Sequence, residues 1–250
     1  MIEVSSLSVT LGGKQIVQDV SFTADSGQWL MVAGPNGAGK TSIVNAISQS
    51  IPYTGNVSVD GVNLRGMKSR VLARKIGVLA QNRPLSYAFT AEEVVRLGCY
   101  SHRSSFFSSP EADSEALFQA AVRSTGIEDF LSRPVTTLSG GEVQRVFLAQ
   151  LFAQDPQILI LDEPANHLDL PFQKQIFDLT DAWRRQGSKT VISVVHDLSM
   201  AKLYGTHALL LSHGRTAACG TAEEVLTDEH LSEVYGISVS DWMKKLYELW

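Results

Sequence analysis

The segment Gly34-Pro35-Asn36-Gly37-Ala38-Gly39-Lys40-Thr41 constrains this chain more than any other. Five apolar residues, Trp29 to Ala33, run straight into it, and Ile43, Val44 and Ile47 recur at helical spacing behind it. A buried strand, a glycine-rich turn and a helix opening near Lys40 are therefore expected in that order. Glycines let the backbone wrap closely and aim successive N–H groups at phosphate oxygens. The helix N-terminus adds partial positive charge at the same place. Lys40 is expected to reach the β- and γ-phosphates of a nucleotide and the Thr41 hydroxyl to meet Mg²⁺, while Ser42, next along the helix, counts with Gly34 to Thr41 among the nucleotide-binding residues. Taken alone, the run is a glycine turn; the strand before it and the helix after it favour the cradle.

Ile158-Leu159-Ile160-Leu161-Asp162-Glu163 supplies a complement. Four apolar residues bury a strand and leave two carboxylates at its C-terminal end, where ligands sit in open α/β sheets. Asp162 suits Mg²⁺ through its water shell, and Glu163 suits a general base acting on water. A solvated acidic turn is the plainer reading of that pair by itself.

A third segment, Leu138-Ser139-Gly140-Gly141-Glu142, puts a serine and two glycines at another loop-to-helix junction, with Gln144 and Arg145 following. It is a second anion-binding N-terminus, or simply a serine helix cap. A chain that already owns one cradle needs a second phosphate to use another. A two-fold pair, each copy covering the nucleotide of its neighbour, accounts for both.

The rest of the pattern places these segments. Ile2, Val4, Leu7 and Val9, then Ile16, Val17, Val20 and Phe22, flank Gly12-Gly13 and read as an antiparallel hairpin. Val57–Gly61 and Ile76–Ala80 read as strands. Between residues 82 and 155 the spacing becomes helical, at 91–97, 114–124 and 142–153, broken by a serine-rich loop at 101–110. Strand, helix and strand return at 158–161, 172–186 and 190–195, then a hairpin about His213-Gly214 and short helices over the last 25 residues. The expected fold is α/β: a P-loop (RecA-like) parallel sheet core with an N-terminal antiparallel β layer and an inserted α-helical subdomain. The expected limits are 1–81 with 156–225 for the core, 82–155 for the helical insertion and 226–250 for a C-terminal segment.

Bulk properties narrow the setting. A net charge of −5 gives no general attraction to nucleic acid, and no nucleic-acid partner is expected. The longest apolar runs are four or five residues against the roughly 20 that a spanning helix needs. Met1-Ile2-Glu3-Val4 lacks the basic-then-apolar pattern of a secretion signal. Cys99 and Cys219 show no ligand spacing and read as free thiols of a reducing cytosol.

On these motifs the chain resembles the ABC ATPases over nearly its whole length. The resemblance implies that Ser139, Gly140, Gly141 and Glu142 are the signature segment, with Ser139 and Gly141 touching the γ-phosphate across a dimer. It implies that Gln81 is the glutamine that senses the γ-phosphate and Mg²⁺ and touches the membrane partner. His196, after Ser193-Val194-Val195, resembles the switch histidine, although a histidine at a strand end is more often structural. Asn166-His167-Leu168-Asp169 resembles the loop that communicates between the two sites. The family usually stacks an aromatic residue on adenine, and the aligned position here is Leu11, which offers apolar packing only.

Within the family, Phe89 to His102 looks like the start of the helical subdomain in importers of iron–siderophore, haem and vitamin B12, departing at Cys99 and Ser101 where that group often shows Arg and Pro. The implied protein is an ATP- and Mg²⁺-dependent subunit on the cytoplasmic face of the inner membrane. Its implied partners are a second nucleotide-binding subunit, transmembrane permease subunits and, indirectly, a solute-binding protein. The competing reading is a soluble single-cassette ABC ATPase such as an Fe–S cluster assembly factor. A signalling GTPase on the same cradle leaves Leu138–Glu142 unexplained.

Overall fold

A computed structural model of the chain describes residues 1–80, 88–102, 110–166, 168–187 and 189–248. These gather into two units, Met1–Arg65 with Ile192–Trp250, and Gly66–Val191. Among the described residues no helix is long and apolar enough to cross a membrane.

In the first unit, β1 (Ile2–Leu11) and β2 (Lys14–Ala24) form the expected antiparallel hairpin. Gly12 and Gly13 at φ 55° and 78° make its turn, a left-handed pair that matches the twist of the flanking strands. The apolar spacing along β1 breaks from two to three between Val4 and Leu7 for a reason visible here. The register shifts between Val4 and Leu7, where Ser6 stands at φ 50°, and the bulge returns Leu7 and Val9 to the buried face of Ile2 and Val4. A second hairpin, β4 (Thr54–Val59) and β5 (Val62–Asn63), completes a sheet of order β2-β1-β4-β5.

The same unit holds β3 (Trp29–Ala33), whose five residues are all buried, followed by the cradle and α1 (Lys40–Ile47). β3 pairs in parallel with β9 (His207–Ser212), and β10 (Arg215–Thr221) returns antiparallel to β9. β8 (Thr190–Val194) lies beside β3 in the order β10-β9-β3-β8, and its residues from Ile192 onward belong to this unit. Continuous apolar runs on β3 and β9 fit parallel strands covered on both faces. Trp29 anchors the core, donating from Nε1 to Ser193 Oγ at 2.8 Å. The helices α7 (Leu198–Tyr204), α8 (Ala222–Val225), α9 (Asp228–Tyr235) and α10 (Val239–Tyr247) finish the unit.

In the second unit, α2 (Ser69–Lys75) leads into β6 (Ile76–Leu79), which pairs in parallel with β7 (Ile158–Asp162). Between them run α3 (Ala91–Gly98), α4 (Pro110–Thr125) and α5 (Gly140–Gln154), and α6 (Leu170–Arg185) follows β7. The Thr90 hydroxyl and Glu93 carboxylate cap α3 reciprocally, which explains its sharp start. A side chain at Gly98 would lie 2.0 Å from Gln150 O, so α3 and α5 meet backbone to backbone there. Phe152 stacks on Trp183 at 5.6 Å and joins α5 to α6. The helix α2 is not foreshadowed by any pattern because none of its residues is buried, and a helix without an apolar face has no periodicity to read.

Candidate active site

The candidate residues fall into one group in each unit. In the first, β3 ends at Ala33 and Gly34 turns the chain at φ 143°. Only glycine fits, since a Cβ there would lie 2.3 Å from the carbonyl oxygen of Leu211. Pro35, Asn36, Gly37 and Ala38 carry the loop onward, and Gly39 at φ 100° delivers it to the first turn of α1 without any side-chain cap. Helix N–H groups at such a start need an acceptor from elsewhere, which is the cradle's chemistry. Lys40 is buried, and its Nζ donates to Gly34 O at 2.7 Å and Pro35 O at 3.0 Å. The ammonium is thus folded back onto the carbonyls of its own loop. Thr41 and Ser42 follow on α1.

His196 is exposed and directly follows Val195, whose N–H donates to Val32 O on β3 at 3.2 Å. The strand that feeds the cradle therefore also fixes the histidine's backbone. Asp197 next to it caps α7, accepting from the N–H groups of Ser199 and Met200. Leu11, at the end of β1, is 41% exposed and so presents apolar surface to solvent.

The sequence reading missed Tyr235 of α9 altogether. Burial pushes its phenol above the ordinary tyrosine range, and a hydrogen bond with the Gly34 backbone pulls the other way. A residue from the C-terminal segment thus touches the first glycine of the cradle, a contact no local motif announces.

In the second unit, Asp162 ends β7 and is 3% exposed, while Glu163 follows at φ 54°. A left-handed glutamate is uncommon and costs about 1–3 kcal/mol, strain of a kind that concentrates at functional sites. Asn166 holds it: Nδ2 donates to Glu163 Oε2 at 2.8 Å and the backbone N–H to Glu163 O at 3.2 Å. Asp169 starts α6 but makes no side-chain cap, so its carboxylate is not spent on the helix. Gln81 and His167 lie outside the described residues.

Ser139 and Gly140 are exposed at the tip of α5. The cap reading of Ser139 is physically present. Its hydroxyl accepts from Glu142 N–H at 3.4 Å, and Glu142 accepts from Ser139 N–H at 2.7 Å. Those bonds to Ser139 hold the Glu142 carboxyl below the ordinary glutamate range. Glu142 is therefore engaged by its own helix start. Gly141 has no room for a side chain, since a Cβ would lie 2.6 Å from the Phe172 ring of α6.

Each unit offers a hard oxygen donor of the kind Mg²⁺ takes beside substrate phosphates: the Thr41 hydroxyl in the first and the buried Asp162 carboxylate in the second. No cluster of three or more His, Cys, Asp or Glu capable of holding a metal by protein alone exists among the described residues.

A cradle of this build, a strand ending in two carboxylates and a capped serine–glycine tip define a nucleotide-hydrolysing cassette. The chain belongs to the ABC transporter family, whose model matches residues 17–166, and it is an ATP-binding cassette with ATPase activity. It is 40% identical over 247 residues to the hemin import ATP-binding protein HmuV of Rhizobium etli, covering 96% of this chain and 92% of that one. It is 36% identical over 240 residues to the ABC transporter ATP-binding protein YvrA of Bacillus subtilis, covering 96% of this chain but 54% of that longer protein. Among solved structures, an ATP-binding subunit of an ABC transporter superposes with a TM-score of 0.79 at 25% identity, over 98% of this chain and 99% of that one. The cassette MJ0796, solved as a dimer in a post-hydrolysis state with ADP and Pi, gives 0.76 at 25% identity, over 89% of this chain and 99% of that one.

Proposed function

We propose that the chain is the motor subunit of a membrane importer for a metal chelate, with haem the first cargo to test. The observation that carries this is its similarity, along nearly its full length, to hemin import ATP-binding proteins. That similarity favours the importer over a soluble Fe–S assembly cassette. In this reading two copies pair on the cytoplasmic face of the inner membrane, against transmembrane permease subunits that a solute-binding protein supplies. Residues 82–155 form the helical signature subdomain in that account.

Residue roles follow from chemistry. Gly34 to Ser42 wrap the triphosphate, with N–H groups and the Lys40 ammonium set against its charge. Thr41, Gln81 and Asp162 are the protein oxygens for Mg²⁺, which when bound neutralises charge on the phosphates. Glu163 takes a proton from the attacking water, and His196 holds the γ-phosphate side of that water. Ser139, Gly140 and Gly141 close over the neighbour's γ-phosphate from the positive end of α5, and Asp169 faces the partner. Leu11 packs on the base.

The cap at Ser139 allows a clean separation of fold from function. Asp caps a helix about as well as Ser, so Ser139→Asp should leave the melting temperature close to wild type. The new carboxylate would face a triphosphate, and ATP turnover should fall by about a hundredfold. Unchanged turnover in that variant would reduce Ser139 to a cap.

The cargo assignment is tested by deleting the coding sequence and measuring uptake of haem, ferric siderophore and cobalamin in separate assays. Loss of haem accumulation alone is expected, restored by the wild-type chain but not by Lys40→Ala. If all three uptakes persist, the importer reading fails.

A further inference from the structure

One set of contacts in the second unit has no part in the roles above. Gln144 stands on α5 five residues beyond Ser139, about 7 Å along the helix axis. Its Nε2 donates to the carbonyl oxygen of Pro164 at 2.6 Å. Pro164 is buried and directly follows Glu163. Proline's ring fixes its φ, so a displacement of the Pro164 carbonyl has only one soft torsion there to absorb it. The rest is passed back to Glu163, which is already held in the left-handed region at φ 54°. At its other end Glu163 is clamped by Asn166, through Oε2 at 2.8 Å and the backbone carbonyl at 3.2 Å.

The start of α5 is seated tightly on the elements that flank this loop. An added Cβ at Gly141 would lie 2.6 Å from the Phe172 ring, and one at Gly140 3.7 Å from Leu168 Cδ2. A fifteen-residue helix packed this closely moves as a body rather than bending at its first turn. Whatever displaces the Ser139 tip therefore displaces Gln144 with it.

We propose that Gln144 is a positioning residue that couples the tip of α5 to the general base of its own chain. This rests on the reading of Ser139 as a contact to the neighbour's triphosphate and of Glu163 as the base. When the tip engages ATP held by the neighbour, the shift passes through Gln144 to Pro164 and sets the Glu163 carboxylate. Each chain's base is thereby tuned to the occupancy of the opposite site. An unbranched amide suits the task, being long enough to cross from helix to loop, uncharged, and a donor toward a carbonyl. A methionine has the same reach and no donor.

The test is steady-state hydrolysis of Mg-ATP by the full chain, read as kcat, KM and Hill coefficient. Gln144→Met should lower kcat about tenfold and bring the Hill coefficient down toward 1, with KM within about twofold of wild type. Gln144→Lys restores a donor at similar reach and should bring kcat and the Hill coefficient most of the way back. Gln144→Leu serves as the donorless variant if the methionine one gives no cooperative melt. Wild-type kcat and Hill coefficient in the donorless variant would overturn the proposal, as would equal losses in the methionine and lysine variants. Glu163→Gln is measured beside them. If it retains turnover, the reading of the base fails; if it is inactive while Gln144→Met is normal, only the coupling fails.

Discussion

Glu163→Gln should reduce ATP turnover by roughly 10²–10⁴-fold while leaving ATP affinity nearly unchanged, the range expected when a positioned general base is removed. The substitution keeps the shape and one oxygen at a residue that already sits at φ 54°, so it adds no new backbone strain. The Asn166 amide can still donate to the remaining oxygen. What disappears is the ability to take a proton from water. Binding should survive because the cradle's contacts belong to Gly34–Ser42 and owe nothing to this carboxylate. Rapid-quench measurement of a single turnover, beside equilibrium binding of a fluorescent ATP analogue, separates the two effects. Slow chemistry with intact binding is the expected pair, and a paired, ATP-loaded form should accumulate on a sizing column.

Lys40→Ala should act on binding itself, weakening ATP by up to about a thousandfold through loss of a desolvated charged partner to the phosphates. The lysine is buried, and its ammonium donates to Gly34 O and Pro35 O. Removing it takes away the positive charge and one donor each from Gly34 O and Pro35 O, the latter keeping the Ala38 N–H at 3.2 Å, so the cradle loses some shape as well as charge. Isothermal titration with Mg-ATP and with Mg-ADP reads the result. The loss should be larger for ATP, because the ammonium is assigned to the β- and γ-phosphates. Equal losses for the two nucleotides would move Lys40 from the γ-phosphate to a purely structural place in the loop.

How much of this was legible beforehand depended on whether local chemistry or tertiary contact decided each feature. Trp29–Ala33 declared a buried strand because all five residues are apolar, and α1 opens at Lys40 because Gly39 before it stands at φ 100°, outside the helical region. The hairpin about Gly12-Gly13 was readable from its turn, but the bulge at Ser6 was not, since it shows only as a broken alternation. The helix α2 carries no buried residue and left no pattern. The serine-rich stretch near residue 110 read as loop, yet α4 begins at Pro110, a residue well suited to a first helical turn.

At the site, motif residues could be named from spacing while their supports could not. Nothing local says that Gln144 reaches Pro164 or that Tyr235 meets Gly34, because those partners are 20 and 201 positions apart and joined only by the fold. Asn166 grips Glu163 from three positions away, but through a turn whose left-handed start glutamate does not announce. The left-handed backbone of Glu163 is equally silent in the sequence, since glutamate gives no sign of it as glycine does. Glu142 shows the converse: its motif membership was plain, and its side chain proved to be engaged in capping its own helix.

The central claim is that each working site is built from the cradle of one copy and the serine–glycine tip of the other. Mixing two inactive variants tests it most directly: Lys40→Ala, which keeps its tip, with Ser139→Asp, which keeps its cradle. A random mixture of such pairs forms one complete site in half its dimers, so ATP turnover should rise above the sum of the separate variants, to about a quarter of the wild-type rate if the sites act independently and to less if each base also needs its own tip engaged. Turnover no greater than the sum of the two separate variants, under conditions where they demonstrably exchange partners, would contradict the account.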